Sequence, residues 1–366
     1  MNHFINAFPL GNADTTLIRL NSGKLLLIDY ANTYTGEKDD RRCDLPVELD
    51  KLVETDSYDV VIFTHADMDH VQGFASYFHL EHAEKYQGGD RKKINELWVP
   101  AQVILEEGCE DETRILRTEA RHRLRNKKGI RVFSNPDKLK GWLEKEKVAF
   151  SDVEHLIVNA GTTVPGWGAT NPELEIFAHA PFAYTFDANT EINRNDACIV
   201  LQATFNNLPK TKFLLLADAD SELLHSIIDL SERFDNHHRL NWDIVHLPHH
   251  MSYLSLGPEK GKEKTEPVDP VRRLYEDYGQ EKSLLISPSC PVPDSYDTIQ
   301  PPHRQAYNYY ASVADLKNGE LQVTMEFPAE ANPRPMEVTI NNYGLTLVKA
   351  IVAGGFTTER KIPQAG

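Results

Sequence analysis

The chain reads as an α/β or α+β protein in which helices cover the faces of sheets. Short apolar, β-branched runs recur along the whole sequence and alternate with stretches of helical pattern. Several of those runs also end in His and Asp residues, so that chemistry and fold are read from the same places.

Near the start, Phe4–Phe8, Thr15–Leu20 and Lys24–Asp29 read as strands, separated by the turn sequences Gly11-Asn12-Ala13-Asp14 and Asn21-Ser22-Gly23. Leu45–Glu54 has a short helical pattern. Tyr58–Thr64 is apolar and β-branched without alternation, the signature of a strand buried on both faces. Val71–Leu80 then reads as a helix, Asn95–Pro100 as a strand, and Gln102–Lys127 as a charged helical stretch. In the second half, strands are expected at Leu174–His179, Ala197–Phe205, Lys212–Ala217, Asp243–Leu247 and Ser283–Ser287. Helices are expected at Ser221–Phe234, Val271–Tyr278 and His303–Leu316. Leu321–Phe327 and Met336–Ile340 read as a closing hairpin, and the Pro-rich stretches Gly257–Pro270 and Pro291–Pro302 as loops.

The 366 residues suffice for a sizeable core. No apolar run approaches the roughly 20 residues of a membrane span, and Met1–Pro9 lacks the basic start and apolar stretch of a signal peptide. A cytoplasmic location is expected. Cys43, Cys109, Cys198 and Cys290 are widely spaced, which excludes zinc-finger and Cys-x-x-Cys redox spacing. A net charge of −16 disfavours tight binding of bulk nucleic acid. Against that background, Arg121–Arg131 is the one strongly basic stretch. It reads as the solvated end of a helix or, more sharply, as a phosphate-chain contact.

The chemistry centres on His65-Ala66-Asp67-Met68-Asp69-His70, directly after the buried run Tyr58–Thr64. In an extended segment His65 and Asp67 point the same way and can share one ion. Asp69 and His70 follow a turn and can face a second. Imidazole with carboxylate suits Zn²⁺, Mn²⁺ or Fe²⁺ better than a thiolate-loving metal. Two more apolar runs end alike: Phe213–Ala217 in Asp218-Ala219-Asp220, and Asp243–Leu247 in Pro248-His249-His250. A lone Asp after a strand is commonly a helix N-cap, as Asp220 or Ser221 could be, and a lone His pair is commonly surface. Three such clusters together are a far more specific signal.

These motifs resemble the metallo-β-lactamase fold superfamily, and most of all the branch containing the hydrolase domain of the ComEC competence proteins. That branch carries His-x-Asp-x-Asp-His where most of the superfamily has His-x-His-x-Asp-His. Here Thr64–Phe74 is similar throughout, and Leu247-Pro248-His249-His250-Met251-Ser252 is similar to the branch's Pro-His-His-Gly-Ser. Leu10–Ile18, Leu26–Asp29, Phe213–Asp218, Leu284–Ser287 and His303 extend the resemblance over roughly residues 5–315. Met251, Tyr30 and Asn12-Ala13 depart from positions where glycine is usual in that family.

The resemblance implies an αββα sandwich, two mixed sheets flanked by helices. It implies a single domain over 1–366, with insertions near 102–147 and 257–270 and a C-terminal hairpin near 320–350. It implies two divalent ions, Zn or Mn, held by His65, Asp67, Asp69, His70, Asp218 and His250, with Asp218 as the bridge. His250 would be the ligand of its pair and His249 the residue facing substrate, the reverse assignment being the alternative. His179 lies roughly where other branches place a further ligand, the alternative being an ordinary surface or core His. Asp69 or Asp218 would orient a water activated by the metal pair. The oxygen contributed by Asp67 shifts the site towards Mn²⁺ or Mg²⁺ and favours phosphodiester hydrolysis, with DNA or a nucleotide as substrate. The alternatives are hydrolysis of a small ester, lactone or thioester on the same fold, and a non-catalytic metal-bound interaction module.

Overall fold

Several apolar runs of this chain send alternate side chains into two different cores, and that division builds the fold. The structure is a computed structural model that describes residues 2–184 and 193–348. Among these, sixteen strands follow in chain order: β1 (His3–Ala7), β2 (Thr16–Arg19), β3 (Leu25–Ile28), β4 (Ser57–Ile62), β5 (Lys93–Pro100), β6 (Ile130–Phe133), β7 (Ile157–Val158), β8 (Thr162–Thr163), β9 (Leu174–Ala180), β10 (Val200–Phe205), β11 (Thr211–Leu215), β12 (Trp242–His246), β13 (Gly279–Ser287), β14 (Glu320–Val323), β15 (Met336–Asn341) and β16 (Gly344–Val348). They form a nine-stranded sheet in the order β16-β15-β1-β2-β3-β4-β5-β6-β7 and a seven-stranded sheet in the order β14-β13-β12-β11-β10-β9-β8.

Both sheets are mixed. In the first, β16 to β3 pair antiparallel and β3 to β7 parallel. In the second, β8 to β11 pair antiparallel and β11 to β14 parallel. Leu26, Ile28, Val60 and Ile62 of the first sheet meet Ile176, Leu201, Phe213, Ile244 and Ile286 of the second in one core. The intervening Leu27, Val61, Leu97 and Val99 point the other way, onto Leu45, Leu49, Leu116, Ala120 and Leu139 of the outer helices. On the far side, Leu214, Val245 and Leu285 meet Leu223, Ile227, Leu274, Tyr310 and Val313. Because strand side chains alternate, each central strand feeds two cores and is apolar on both faces over much of its length. The result is the four-layer αββα sandwich expected from the sequence.

Some elements differ from their sequence reading, among them Gln102–Lys127, which is broken into the helices Ala101–Leu105 and Asp111–Arg125. The helix expected at Val71–Leu80 is broken into Met68–Val71 and Phe74–Tyr77, because Gly73 takes a left-handed conformation (φ 82°) between them. The expected hairpin between Leu321–Phe327 and Met336–Ile340 does not form. Instead β14 follows the helix Arg304–Leu316 as a crossover and lies parallel to β13, while β15 joins the other sheet beside β1 and pairs with β16. The two segments share a strand pattern, but the cores they complete lie on different sheets.

The parallel strands β3 and β4, and β11 to β13, end at the same edge of the sandwich. In mixed α/β sheets, the carboxyl ends of parallel strands are where a ligand crevice forms.

Ile244 is fully buried between the two sheets. Ile244→Ala is expected to cost about 2–5 kcal/mol and to lower the urea midpoint followed by circular dichroism. An unchanged midpoint would contradict this account of the central core.

Candidate metal centre

Strand ends from both sheets deliver the polar cluster. After β4 the chain passes His65, is extended at Asp67 and then turns into the helix Met68–Val71, which carries Asp69 and His70. After β11 it reaches Asp218. After β12 it reaches His249 and His250. Ligand atoms of Asp69, His70, Asp218 and His250 all lie within 4.8 Å of one another, so this group could hold a metal ion. Asp218 Oδ1 is 3.3 Å from His70 Nε2, and its Oδ2 is 3.7 Å from His65 Nε2. His65 Nε2 is 3.5 Å from Asp67 Oδ2, and His250 Nε2 is 2.9 Å from Asp69 Oδ2.

Each imidazole is held from behind. His70 Nδ1–H donates to Asp29 Oδ2 (2.9 Å), and Asp29 also accepts from the backbone N–H and hydroxyl of Thr64, both at 2.7 Å. His250 Nδ1–H donates to the carbonyl of Pro288 (2.8 Å), and His65 Nδ1 lies 3.1 Å from Thr64 Oγ1. Fixing Nδ1 leaves Nε2 as the nitrogen aimed into the cluster.

Electrostatics follow from packing these charges out of water. Burial alone would lower the pKa of His70, but the Asp29 and Asp218 carboxylates outweigh it and raise it well above 6.5. Burial likewise opposes the charged form of His250, yet Asp69, Asp218 and Asp14 raise it to about 9. Asp218 is held well below the carboxylate range despite burial, chiefly by His70 and then by His65 and His250. His65 is pushed down by burial and by neighbouring His70.

The residues fit a divalent ion. His65 Nε2, His70 Nε2 and Asp218 Oδ1 are buried without a hydrogen-bond partner, a costly arrangement for polar atoms. All three face the same small space, with two more carboxylates at its edge. Nitrogen and oxygen donors of this kind suit Zn²⁺ or Mn²⁺.

The segment carrying the His pair is conformationally unusual. His249, His250 and Met251 have successive positive φ angles of 47°, 51° and 66°, a conformation that costs non-glycine residues free energy and clusters at functional sites. Hydrogen bonds from His249 N–H to the Ala217 carbonyl and from Ser252 N–H to the His249 carbonyl hold the turn. It buries His250 at 2% exposure and leaves the His249 side chain 26% exposed, its Nε2 3.9 Å from Asp218 Oδ2.

Other residues singled out from the sequence lie elsewhere. Asp220 caps the helix Ser221–Arg233, accepting from the N–H groups of Glu222 and Leu223. His179 is buried on β9, with Nε2 3.1 Å from the Arg239 carbonyl, beside a cavity of about 440 Å³ lined by Phe177, Phe182, Ile227 and Phe234. It is not among the residues brought together at the cluster. The basic stretch 121–131 is not a free cationic patch. Arg121 pairs with Glu107, Arg123 with Glu119, Arg125 with Glu146, Lys127 with Asp152 and Arg131 with Glu96. Glu119 lies one helical turn before Arg123, but the other acids are scattered in sequence, which is why the stretch looked unbalanced.

Several participants were not picked out in the sequence. Asp29 braces His70; its only local signal was an Asp closing an apolar strand. Asp14 and His246 form a buried contact at 3.0 Å beside the cluster. Arg194 donates to Asp67 Oδ1 at 2.5 Å and, through Nε and Nη2, to the Glu106 carboxylate. Nothing local in the sequence marks Arg194 or Glu106, since their meeting depends on loops far apart in the chain.

No protein-family model matches this chain, and no curated protein matches it in sequence. Solved structures do match. One of them, described as the crystal structure of a new diphosphatase from the PhnP family, aligns over 79% of this chain and 87% of its own at 10% identity, with a TM-score of 0.32. That likeness is too remote to carry an inference about activity or substrate.

Burial lowers the His179 pKa from 6.5 to about 4. As pH falls, the unfolded chain therefore takes up this proton first. The contribution is fully present above about pH 6.5 and is lost as pH falls towards about 4. The urea midpoint of the chelator-treated protein is expected to fall more steeply over this window than that of His179→Gln. Parallel profiles would contradict the assignment.

Proposed function

We propose that this protein is a metal-dependent hydrolase of phosphodiester bonds. The observation that carries this reading is the placement of Asp218, whose two carboxylate oxygens face His70 and His65 separately. That supports two adjacent ion positions, one among Asp69, His70, Asp218 and His250, the other between His65, Asp67 and Asp218. Divalent ions there would supply Lewis acidity, lowering the pKa of a bound water and stabilising charge on phosphoryl oxygens.

The chain's own residues do the rest. Asp218 would offer one oxygen to each position. Asp69, 34% exposed at its side chain and held by His250, stands where it can orient an attacking water and take its proton. His249 is the partly exposed imidazole at the mouth, able to contact substrate and give a proton to the leaving oxygen. The carboxylates of Asp67, Asp69 and Asp218 make the donor set oxygen-rich, which suits Mn²⁺ and a phosphodiester. The pairing of the basic stretch, together with the net charge of −16, favours a small phosphodiester such as a nucleotide over a long polyanion.

The test is hydrolysis of bis(p-nitrophenyl) phosphate with added Mn²⁺, alongside p-nitrophenyl acetate and single-stranded DNA. Wild type is expected to cleave the phosphodiester and lose activity with a chelator. Asp218→Asn and His250→Ala are expected to lower turnover by about 100-fold or more. Cleavage of the acetate alone would support the ester-hydrolase alternative, and no turnover of any substrate by metal-loaded protein would support a non-catalytic module.

A further inference from the structure

The candidate ligands share a pattern: each imidazole is braced at the atom facing away from the cluster, by Thr64, Asp29 or the Pro288 carbonyl. Asp67 is different. It stands at the N-cap of a short helix without making a cap hydrogen bond, and its side chain is 36% exposed. Its brace is Arg194. The guanidinium donates from Nη1 to Asp67 Oδ1 and also to the Ala66 carbonyl at 3.2 Å, while the opposite oxygen, Oδ2, faces His65 Nε2.

Arg194 is itself anchored. Its Nε lies 3.0 Å from Glu106 Oε2 and its Nη2 2.5 Å from Oε1, a two-pronged contact that fixes the plane of the guanidinium. The Glu106 carboxylate in turn accepts from the Gln102 side chain. With Nε and Nη2 on Glu106, and Nη1 on Asp67 and Ala66, the guanidinium is committed to this contact set rather than offered to a substrate. Glu106 follows the helix Ala101–Leu105, and Arg194 precedes β10, so neither belongs to a strand end that carries a candidate ligand.

We propose that Arg194, locked by Glu106, is a positioning residue that holds Asp67 with Oδ2 turned to His65 and so sets the affinity of the ion position those two residues form. The proposal rests on the two-position reading above. Groups hydrogen-bonded behind metal ligands typically change metal affinity by about 10–100-fold when removed. An arginine fork fixes a carboxylate plane in a way a lysine ammonium does not.

The test is metal stoichiometry by native mass spectrometry, titrating chelator-stripped full-length protein with Mn²⁺. Wild type is expected to load two ions. Arg194→Ala is expected to load the first normally and the second about 10–100-fold more weakly. Arg194→Lys should recover part of the loss, and Glu106→Gln should show a smaller loss in the same direction. Glu106→Gln carries the test alone if Arg194→Ala does not fold. Melting temperatures of the ion-free variants close to wild type separate positioning from a general loss of stability. If wild type loads two ions and the variants load both with unchanged affinity, the clamp inference is overturned while the two-position reading survives. If wild type loads fewer than two, both fail.

Discussion

One buried carboxylate joins the two halves of this molecule. Asp218 extends from the end of β11 in the seven-stranded sheet and sits between His65 and His70, which follow β4 in the nine-stranded sheet. Such a group is tolerated out of water only if its charge is matched and its lone pairs are used. The surrounding structure is arranged accordingly. Positive imidazoles hold the carboxylate ionised, Asp29 holds His70, and Thr64 ties Asp29 back to the strand end that carries His65 and His70. The sandwich core below sets the spacing of the sheets and hence the distance across which these groups meet.

The periphery extends the same logic. Asp14 meets His246 beside the cluster, and Arg194 meets Asp67 and Glu106 at its rim. Each acid near the centre has an imidazole, a guanidinium or a backbone donor beside it, which limits the repulsion that clustering carboxylates would otherwise create. Among the described residues, the inward-facing His65 Nε2, His70 Nε2 and Asp218 Oδ1 are left without a hydrogen-bond partner, and a divalent ion would satisfy them. A closely packed shell around a small set of unsatisfied donors describes a pre-organised cation site better than a structural polar core.

Much of this was legible before the structure. The buried strand Tyr58–Thr64 and the six residues after it announced a site at a strand end, because few other contexts place two His and two Asp beyond an apolar run. Asp218 and the pair His249-His250 were legible for the same reason. The partnership of Leu321–Phe327 was not. Its residues carry a strand pattern that either sheet could use, and only the crossover helix Arg304–Leu316 commits it to β13. The basic stretch 121–131 misled because, apart from the helical i,i+4 partner Glu119, charge neutralisation depends on Glu96, Glu107, Glu146 and Asp152, whose proximity is a product of packing.

The sequence by itself determined the layered α/β class, the apolar strands and the donor types concentrated at their ends, since periodicity and residue chemistry are local properties. The tertiary structure alone decided which donors converge, that His250 turns in while His249 stays at the mouth, that His179 lies away from the cluster, and that Arg194 reaches Asp67. Those outcomes depend on distances between segments up to 181 residues apart, as between Asp69 and His250. Such distances are set by how two twisted sheets pack face to face, which no local pattern encodes.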